Sequence, residues 1–597
     1  MESIRGLKRT HHCKELTGAD TGSEVTLMGW VDRRRDHGGV IFIDLRDKNG
    51  RTQVVFRPEH NSEAHKKADS LRNEYVIAIQ GKVEKRLSGM ENPKLYTGEI
   101  EILADTLRIL NTSDTPPIQI NEQSGENEDI RLKYRFLDLR RPWVQENIIF
   151  RDTVTRSIRK TLAEEGFHDI ETPILMKSTP EGARDFLVPS RLNRGSFYAL
   201  PQSPQIYKQL LMVSGFERYY QIAKCFRDED LRSDRQPEFT QVDLEMSFVE
   251  TEDVMNTVDR LLAKLFKDTL EINIPSPIPR LTYKEAMSKY GSDKPDLRFG
   301  MELQDKGDFF KDCDFKVFRN VLDGGGIIKG IRAEGCGDFS RKVIDELTAF
   351  VGTFGSKGLV WMRVQEEGIE CQLTKFFREG LLEEVGASMG AKPGDMLFFV
   401  AADSATVNRA LGELRLEIAR RKNLLDPSVF NFTWVVDFPL FEYDDNEKRW
   451  APLHHPFTCP DDRGLELLDT DDYYKAGSKA YDIVLNGVEI GGGSIRVHDP
   501  VIQRKIFRLL KISDEEAEQK FGFLVDALKY GAPPHGGLAL GLDRLAMLMK
   551  GCESIREVIP FPKTSTGASL IDNSPSPVSD SQLRELSIKL RETQKDG

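Results

Sequence analysis

The 597-residue chain has few of the features that mark secreted, membrane or metal-scaffold proteins. Its seven cysteines, at positions 13, 225, 313, 336, 371, 459 and 552, are scattered and form no C-x-x-C pair. That spacing suggests neither a zinc site nor a disulfide framework, and it points to a reduced, cytoplasmic compartment. No apolar run approaches the roughly 20 residues needed to cross a bilayer, so no membrane association is expected. The first five residues lack the apolar stretch of a signal peptide. There is no internal repeat, and the only biased stretch is a short Ser/Pro-rich piece at 573–580. Basic residues are not in excess: 84 Lys and Arg stand against 96 Asp and Glu, for a net charge of −12. Such a balance argues against a protein that binds nucleic acid over its whole surface. Two local clusters, Arg33-Arg34-Arg35 and Arg131, Lys133, Arg135, Arg140, Arg141, leave room for phosphate contacts through patches. Exposed charges farther apart than a Debye length of ~8–10 Å are largely screened from one another.

What is present is a globular composition, 39% hydrophobic and 30% charged, on a chain long enough for several domains. Residues 1–110 read as all-β. Runs at 25–31, 40–45, 52–56, 75–81 and 98–103 are strand candidates, Asp47 to Gly50 is a turn, and a helical stretch at 64–71 precedes the fourth strand. Five short strands with one interposed helix suit an OB-fold, a barrel that commonly binds single-stranded nucleic acid. Residues 111–130, rich in Pro, Asn, Ser and Glu, read as a linker or hinge.

The segment 226–246 reads as two strands joined by a charged loop. In the second strand Phe239, Gln241, Asp243 and Glu245 share one face, while Thr240, Val242, Leu244 and Met246 share the other. A polar face of acids, amide and aromatic ring, with arginines upstream, suits a nucleotide triphosphate and a charged small molecule. Arg227 can neutralise phosphate, Phe239 can stack on a base, and Asp243 can accept from an ammonium group. Upstream, Val154, Ile158 and Leu162 are four apart on one helix face, and the helix is expected to end at Gly166. Far downstream, 537–547 reads as a strand running into a helix, with Arg544 near the helix start.

Four further segments bear on a small-molecule substrate. A loop at 179–186 carries Glu181. Ser203 and Pro204 are expected to open a helix in which Gln205 and Lys208, three apart, share a face. A loop at 451–457 carries His454 and His455; adjacent histidines seldom share a metal, so a substrate-covering loop is expected. In 480–498, Asn486-Gly487 is a hairpin signal, and Glu489 and Arg496 are an odd number apart. A regular strand would turn them to opposite faces, and the three glycines between them can host a bulge that restores one face.

Segments 154–173, 226–246 and 537–547 resemble motifs 1, 2 and 3 of the class II aminoacyl-tRNA synthetases, in order. The whole chain resembles aspartyl-tRNA synthetases of the bacterial type. The resemblance implies a multidomain α+β protein: an N-terminal OB-fold anticodon-binding domain (1–110), the linker (111–130), an antiparallel-sheet catalytic domain in two parts (131–292 and 426–563), an inserted α+β domain of the GAD type (293–425) and a C-terminal extension (564–597). It implies L-aspartate, ATP, Mg2+ and tRNA as substrates and cofactor, and a homodimer built around residues 146–173. Glu181, Gln205 and Asp243 would hold the aspartate ammonium, Lys208 and Arg496 its side-chain carboxylate, and His454 would close over it. Arg227 would bind the α-carboxylate and α-phosphate. Asp228, Glu229, Gln236, Phe239, Glu489, Gly541, Leu542, Asp543 and Arg544 would contact ATP, with the adenine between Phe239 and Arg544. Arg227, Glu489 and Arg544 are the implied catalytic residues, and Asp482 and Glu489 the implied magnesium ligands. Arg35, Phe42 and Gln53 match anticodon-contacting positions. His37 and Gly89 match the relaxed type, which charges both tRNA(Asp) and tRNA(Asn). Asparaginyl- and lysyl-tRNA synthetases share the OB-fold and motifs, but a cationic pair selects a second carboxylate. A synthetase-like RNA-binding protein without activity would lack some of these residues.

Overall fold

A computed structural model describes residues 2–120, 125–179, 183–445 and 447–591. The chain divides into two compact units, one of residues 1–149 with 560–576, the other of residues 150–559 with 577–597.

In the first unit the strands Glu24–His37, Val40–Arg46, Arg51–Phe56, Ile100–Asn111 and Val76–Lys85 close into a barrel in that order. Alternation builds it: Ile41, Ile43 and Leu45 of one strand and Ile77 and Ile79 of another point inward to a single core. The helix Ser62–Asp69, whose first turn is capped by the Asn61 side chain, buries Ala64 and Ala68 against this core. This is the expected five-stranded OB architecture. The first strand runs six residues beyond its expected end at Val31, so Arg33, Arg34 and Arg35 lie on a strand, just past a bulge at Val31/Arg33.

The second expected basic patch has a different role. Asp138, fully buried, receives Arg131 at 3.1 Å, Arg135 at 2.6 Å and Arg141 at 3.2 Å. Arg140 bonds Glu74 at 2.7 Å, and Glu74 also holds Arg46 at 2.8 Å. These arginines are neutralised internally, and Arg135 and Arg141 have almost no exposed surface. They organise the first unit and do not form an open phosphate-binding face.

The second unit is built on an eight-stranded sheet in the order Arg280–Thr282, Phe432–Val436, Ala480–Leu485, Val488–Ile495, His535–Gly541, Glu238–Ser247, Arg218–Phe226 and His168–Asp169. Its inner pairs are antiparallel, and the pair at each edge is parallel. One face is apolar. Val242, Leu244 and Met246 meet Val154, Ile158 and Leu162 of the helix Pro142–Glu164, together with Val254, Val258 and Leu262 of the helix Thr251–Leu270. The motif helix ends two residues before Gly166, which takes a positive φ of 81°. Asn486 and Gly487 both have positive φ, 53° and 79°, as a two-residue hairpin turn of this kind needs.

Within 293–425 a separate five-stranded sheet runs Gln304–Asp305, Ile327–Ala333, Met396–Ala402, Val360–Gln365 and Gly368–Cys371, all antiparallel. Alternate residues of its central strand serve different cores, Met396, Phe398 and Val400 on one face and Leu397 and Phe399 on the other. The helix Ser404–Arg421 covers the first of these faces. In the described part of the C-terminal stretch there is one short helix, Asp580–Glu585. Among the described residues no helix is long and apolar enough to cross a membrane.

Removing the Asp138 carboxylate leaves buried guanidinium groups without their shared partner. Asp138→Ala is expected to destabilise the first unit by about 3–5 kcal/mol, read as a lower urea midpoint for its unfolding transition. A loss under about 1 kcal/mol would mean that the arginines find other partners, as exposed pairs do.

Candidate active site

The other face of the eight-stranded sheet carries a cavity of about 460 Å³. The strand Glu238–Ser247 contributes Phe239, Gln241 and Asp243, the helix Gln205–Val213 contributes Gln205 and Lys208, and the strand Val488–Ile495 contributes Glu489 and three glycines. That helix opens one residue later than expected, with Pro204 at the capping position, and the Ser203 hydroxyl still accepts the Gln205 N–H at 3.3 Å.

At one end four buried ions face one another. Lys208 Nζ lies 2.6 Å from Asp243 and 3.2 Å from Glu245, and Arg496 grips Glu245 with two nitrogens at 2.9 and 3.1 Å. Burial works to raise the Glu245 carboxyl, but Arg496 and then Lys208 hold it below its usual range. Burial raises the Asp243 carboxyl, and Lys208 offsets only part of the rise. Asp243 Oδ2 is buried with no hydrogen-bond partner among the described residues. Arg496 also donates to His455 Nε2 at 2.6 Å and to the Ser494 hydroxyl at 2.8 Å. Burial, reinforced by Arg496, pushes His455 well below the ordinary histidine value, so this ring is neutral. Two cations and two acids in one dry pocket can each exchange a partner for a ligand carrying both an ammonium and a carboxylate.

The other end is richer in arginine. The Arg227 guanidinium stands 5.2 Å from the centre of the Phe239 ring, and its Nε is buried without a partner among the described residues. Arg544 donates to the Glu489 carbonyl at 2.6 Å and to Asp234 at 3.1 Å, so Arg227, not Arg544, is the cation against Phe239 here. Glu229 pairs with Arg235 at 3.4 Å, and Gln236 is buried beside them on the cavity wall. Gly541, which caps the helix Leu542–Lys550, lies on the wall as well.

Three residues expected at the nucleotide have protein partners in the structure. Asp228 is not on the cavity wall; its N–H bonds the Arg184 carbonyl at 3.1 Å. The Leu542 side chain is buried in the apolar core on the far side of the sheet. Asp543 reaches the wall, but both its oxygens are engaged, one with Arg151 at 2.8 and 3.0 Å and the other with the Thr240 N–H at 2.7 Å. It ties the helix Pro142–Glu164 to the strand Glu238–Ser247. Glu181 lies outside the described residues.

Asp482 and Glu489 face each other across Gly492. A Cβ on that glycine would sit 2.4 Å from Asp482 Oδ1 and 3.8 Å from Glu489 Oε1. The Asp482 charge, and then burial, raise the Glu489 carboxyl. Such crowding is relieved by a cation. Two carboxylates completed by phosphate oxygens are the usual protein share of a Mg2+ shell, so this donor set fits magnesium. His454 Nε2 lies 3.2 Å from Asp482. Burial works to lower His454, but Asp482 and then Glu489 carry it above its ordinary value. The register explains how Glu489 and Arg496 reach one cavity. Val484 pairs with Glu489 and Ile483 with Gly491, so Ile490 is the extra residue of a bulge. The bulge falls just before the glycines rather than within them.

On the barrel, Arg35 bonds Asp44 at 2.6 Å and the Gln53 oxygen at 3.4 Å, and Gln53 donates to Glu101 at 2.8 Å. Phe42 is the cross-strand partner of Arg35, and His37 packs edge-on to it at 6.0 Å. Gly89, with φ of 85°, sits in an exposed turn where a Cβ would meet nothing within 4 Å.

Sequence reasoning missed Glu245, His455, Asp234 and Arg235 as site residues. Glu245 had a visible signal, since it shares the face of Asp243. His455 had only its place beside His454, because its partner Arg496 is 41 residues away.

Comparison with known proteins agrees with this geometry. Residues 127–565 match the family described as tRNA synthetases class II (D, K and N), and residues 25–110 match the OB-fold nucleic acid binding domain. A protein of Desulfatibacillum aliphaticivorans named aspartate–tRNA(Asp/Asn) ligase is 55% identical over 589 residues, 98% of each chain. One of the same name from Caldanaerobacter subterraneus subsp. tengcongensis is 55% identical over 99% of each. Among solved structures, asparaginyl-tRNA synthetase from Pyrococcus horikoshii, complexed with asparaginyl-adenylate, superposes with a TM-score of 0.58 at 18% identity, covering 94% of this chain and 98% of that one. Aspartyl-tRNA synthetase from Entamoeba histolytica gives 0.55 at 19% identity, covering 94% and 92%. At such identities these two speak for the fold alone. The chain belongs to the class II tRNA synthetases, with an OB-fold domain ahead of its catalytic sheet.

Proposed function

We propose that the protein is an aspartate–tRNA(Asp/Asn) ligase, which activates L-aspartate with ATP and transfers it to tRNA. One observation carries the choice of amino acid: Lys208 and Arg496 stand together in a dry pocket with Asp243 and Glu245. Aspartate offers one ammonium and a side-chain carboxylate to such a set; asparagine and lysine offer no second carboxylate. The names of the 55%-identical relatives support the same reading.

In this reading Asp243 and Gln205, with Glu181, take the ammonium, Lys208 and Arg496 take the side-chain carboxylate, and His454 covers the pocket. Arg227 spans the α-carboxylate and the α-phosphate, and Phe239, Glu229 and Gln236 position the nucleotide. The α-carboxylate attacks the α-phosphorus in line and pyrophosphate leaves. The terminal ribose hydroxyl of tRNA then attacks the aspartyl-adenylate and releases AMP. Positioning and charge neutralisation carry the first step, with Arg227 and Arg544 matched to negative charge at the phosphates. Asp482 and Glu489 would hold Mg2+, which when bound neutralises phosphate oxygens. A cytoplasmic homodimer around 146–173 belongs to the same reading, and half-exposed Ile174 and Leu175 beside that segment support it. The domain boundaries given above, including the inserted domain at 293–425, are proposed with it.

Lys208→Leu or Arg496→Leu should lower aspartate-dependent ATP–pyrophosphate exchange by at least ~100-fold, because each removes a cation that would pair with the buried side-chain carboxylate of the substrate. Near wild-type exchange with aspartate in either variant, with folding checked by circular dichroism, would refute the assignment of the pocket.

The barrel face of Arg35, Phe42 and Gln53 suits unpaired anticodon bases, which stack on aromatic rings and hydrogen-bond at their edges. Phe42→Ala should weaken tRNA aminoacylation by about 1–3 kcal/mol, the worth of one stacked base. Adenylate formation should stay unchanged. Equal damage to both steps would indicate a folding defect.

His37 and Gly89 support acceptance of both tRNA(Asp) and tRNA(Asn), whose anticodons differ in one base. Rejecting one of them needs a clash or an unpaired polar group, and open space at Gly89 supplies neither. The wild-type protein should aspartylate purified asparagine tRNA, and His37→Leu/Gly89→Lys should do so less well. Charging of aspartate tRNA alone by the wild type would sink this reading.

A further inference from the structure

Behind the cavity, three buried side chains form a line of hydrogen bonds that ends on Gln205. His535, the first residue of the strand His535–Gly541, is fully buried, and its Nδ1 lies 2.8 Å from the Pro533 carbonyl oxygen. A carbonyl can only accept, so Nδ1 carries the proton. Burial is the largest influence on this imidazole and lowers it. Glu245 and the Pro533 carbonyl oppose that effect, Arg496 and His498 add to it, and the net direction is below the ordinary value. The ring is neutral, so Nε2 is an acceptor. Gln209 Nε2 stands 3.2 Å from it, which turns the donor end of the Gln209 amide toward His535. The Gln209 oxygen then faces the other way and accepts from Gln205 Nε2 at 3.0 Å. Gln205 is on the cavity wall, whereas Gln209, fully buried, is not.

The polarity of this line is set at one end by a group that cannot be reversed. Free amides can rotate by half a turn and exchange oxygen for nitrogen. Here the backbone carbonyl fixes the histidine tautomer, the tautomer fixes Gln209, and Gln209 holds the nitrogen of Gln205. The end of Gln205 left for a ligand is its oxygen, an acceptor. Asp243 Oδ2, which has no partner among the described residues, provides a second acceptor in the same cavity.

We propose that Gln209 and His535 are positioning residues for amino-acid binding: they orient the Gln205 amide so that its oxygen meets the substrate ammonium. The proposal rests on the aspartate reading above and adds to it two residues that touch no substrate. Without the relay, Gln205 rotates freely and spends part of its time presenting N–H groups to a cation.

The test is steady-state ATP–pyrophosphate exchange with Gln209→Met, which keeps the volume and removes both hydrogen bonds. KM for aspartate should rise roughly 10-fold, while kcat and KM for ATP stay within about 2-fold. Succinate has both carboxylates of aspartate and no ammonium, and its inhibition constant should not move. His535→Gln can present either end of its amide to Gln209, so it should give a smaller rise with the same selectivity; it carries the comparison if Gln209→Met does not fold. An unchanged KM for aspartate overturns the proposal, as does a joint rise in KM for aspartate and the succinate constant, which would mark a packing defect. A wild-type protein that does not exchange with aspartate would instead overturn the functional reading, and this proposal with it.

Discussion

Everything at the active site depends on holding four ionised groups in a space nearly closed to water. Lys208, Asp243, Glu245 and Arg496 come from a helix, from the middle of one strand and from just beyond the end of another, and none has appreciable exposed surface. A lone buried ion costs several kcal/mol. The set is tolerable only as a balanced group, with acids placed so that each cation has a partner before substrate arrives. That requirement sets the distance between the helix Gln205–Val213 and the sheet. A ligand with charges of both signs is then received into a prepared field, where little reorganisation is needed.

The same logic recurs at the edges of the site. Asp543 holds Arg151 and the N–H of Thr240, so its own helix Leu542–Lys550, the long helix Pro142–Glu164 and the strand Glu238–Ser247 share one carboxylate. Asp482 and Glu489 are the exception: two acids meet across a glycine without an equal number of cations at hydrogen-bond distance, and Glu489 is pushed upward as a result. An imbalance of this kind is stable where a divalent cation and triphosphate complete the charge.

Much of this could be read from the sequence because its patterns are local. Short runs bounded by turn signals announced the barrel strands, period-two alternation put Asp243 opposite Val242, and four-residue spacing announced the face of Val154, Ile158 and Leu162. The odd spacing of Glu489 and Arg496 foretold a bulge, and only its position was off. What could not be read was pairing between distant residues. Nothing near Asp543 in the chain says that it also holds Arg151, 392 residues away. The Asp138 hub was legible but overlooked. Arg135 and Arg141 each stand three residues from it, a spacing that brings side chains together on a helical turn. Counting arginines suggested a phosphate patch; counting acids as well would have suggested a closed network.

The sheet's far edge has a topological consequence. Arg280–Thr282 and Phe432–Val436 lie side by side and parallel, Leu281 against Val435. Parallel neighbours can never be joined by a tight turn; some crossover must leave one end of the sheet and return to the other. The whole five-stranded insert sits in that obligatory connection. Chain added to a connection that must already be long adds little closure entropy, about 0.6 kcal/mol for each doubling of length. The edge of this sheet is therefore a place where an entire folded body can be acquired, enlarged or lost while the strands that carry Asp243, Glu489 and Arg496 keep their register.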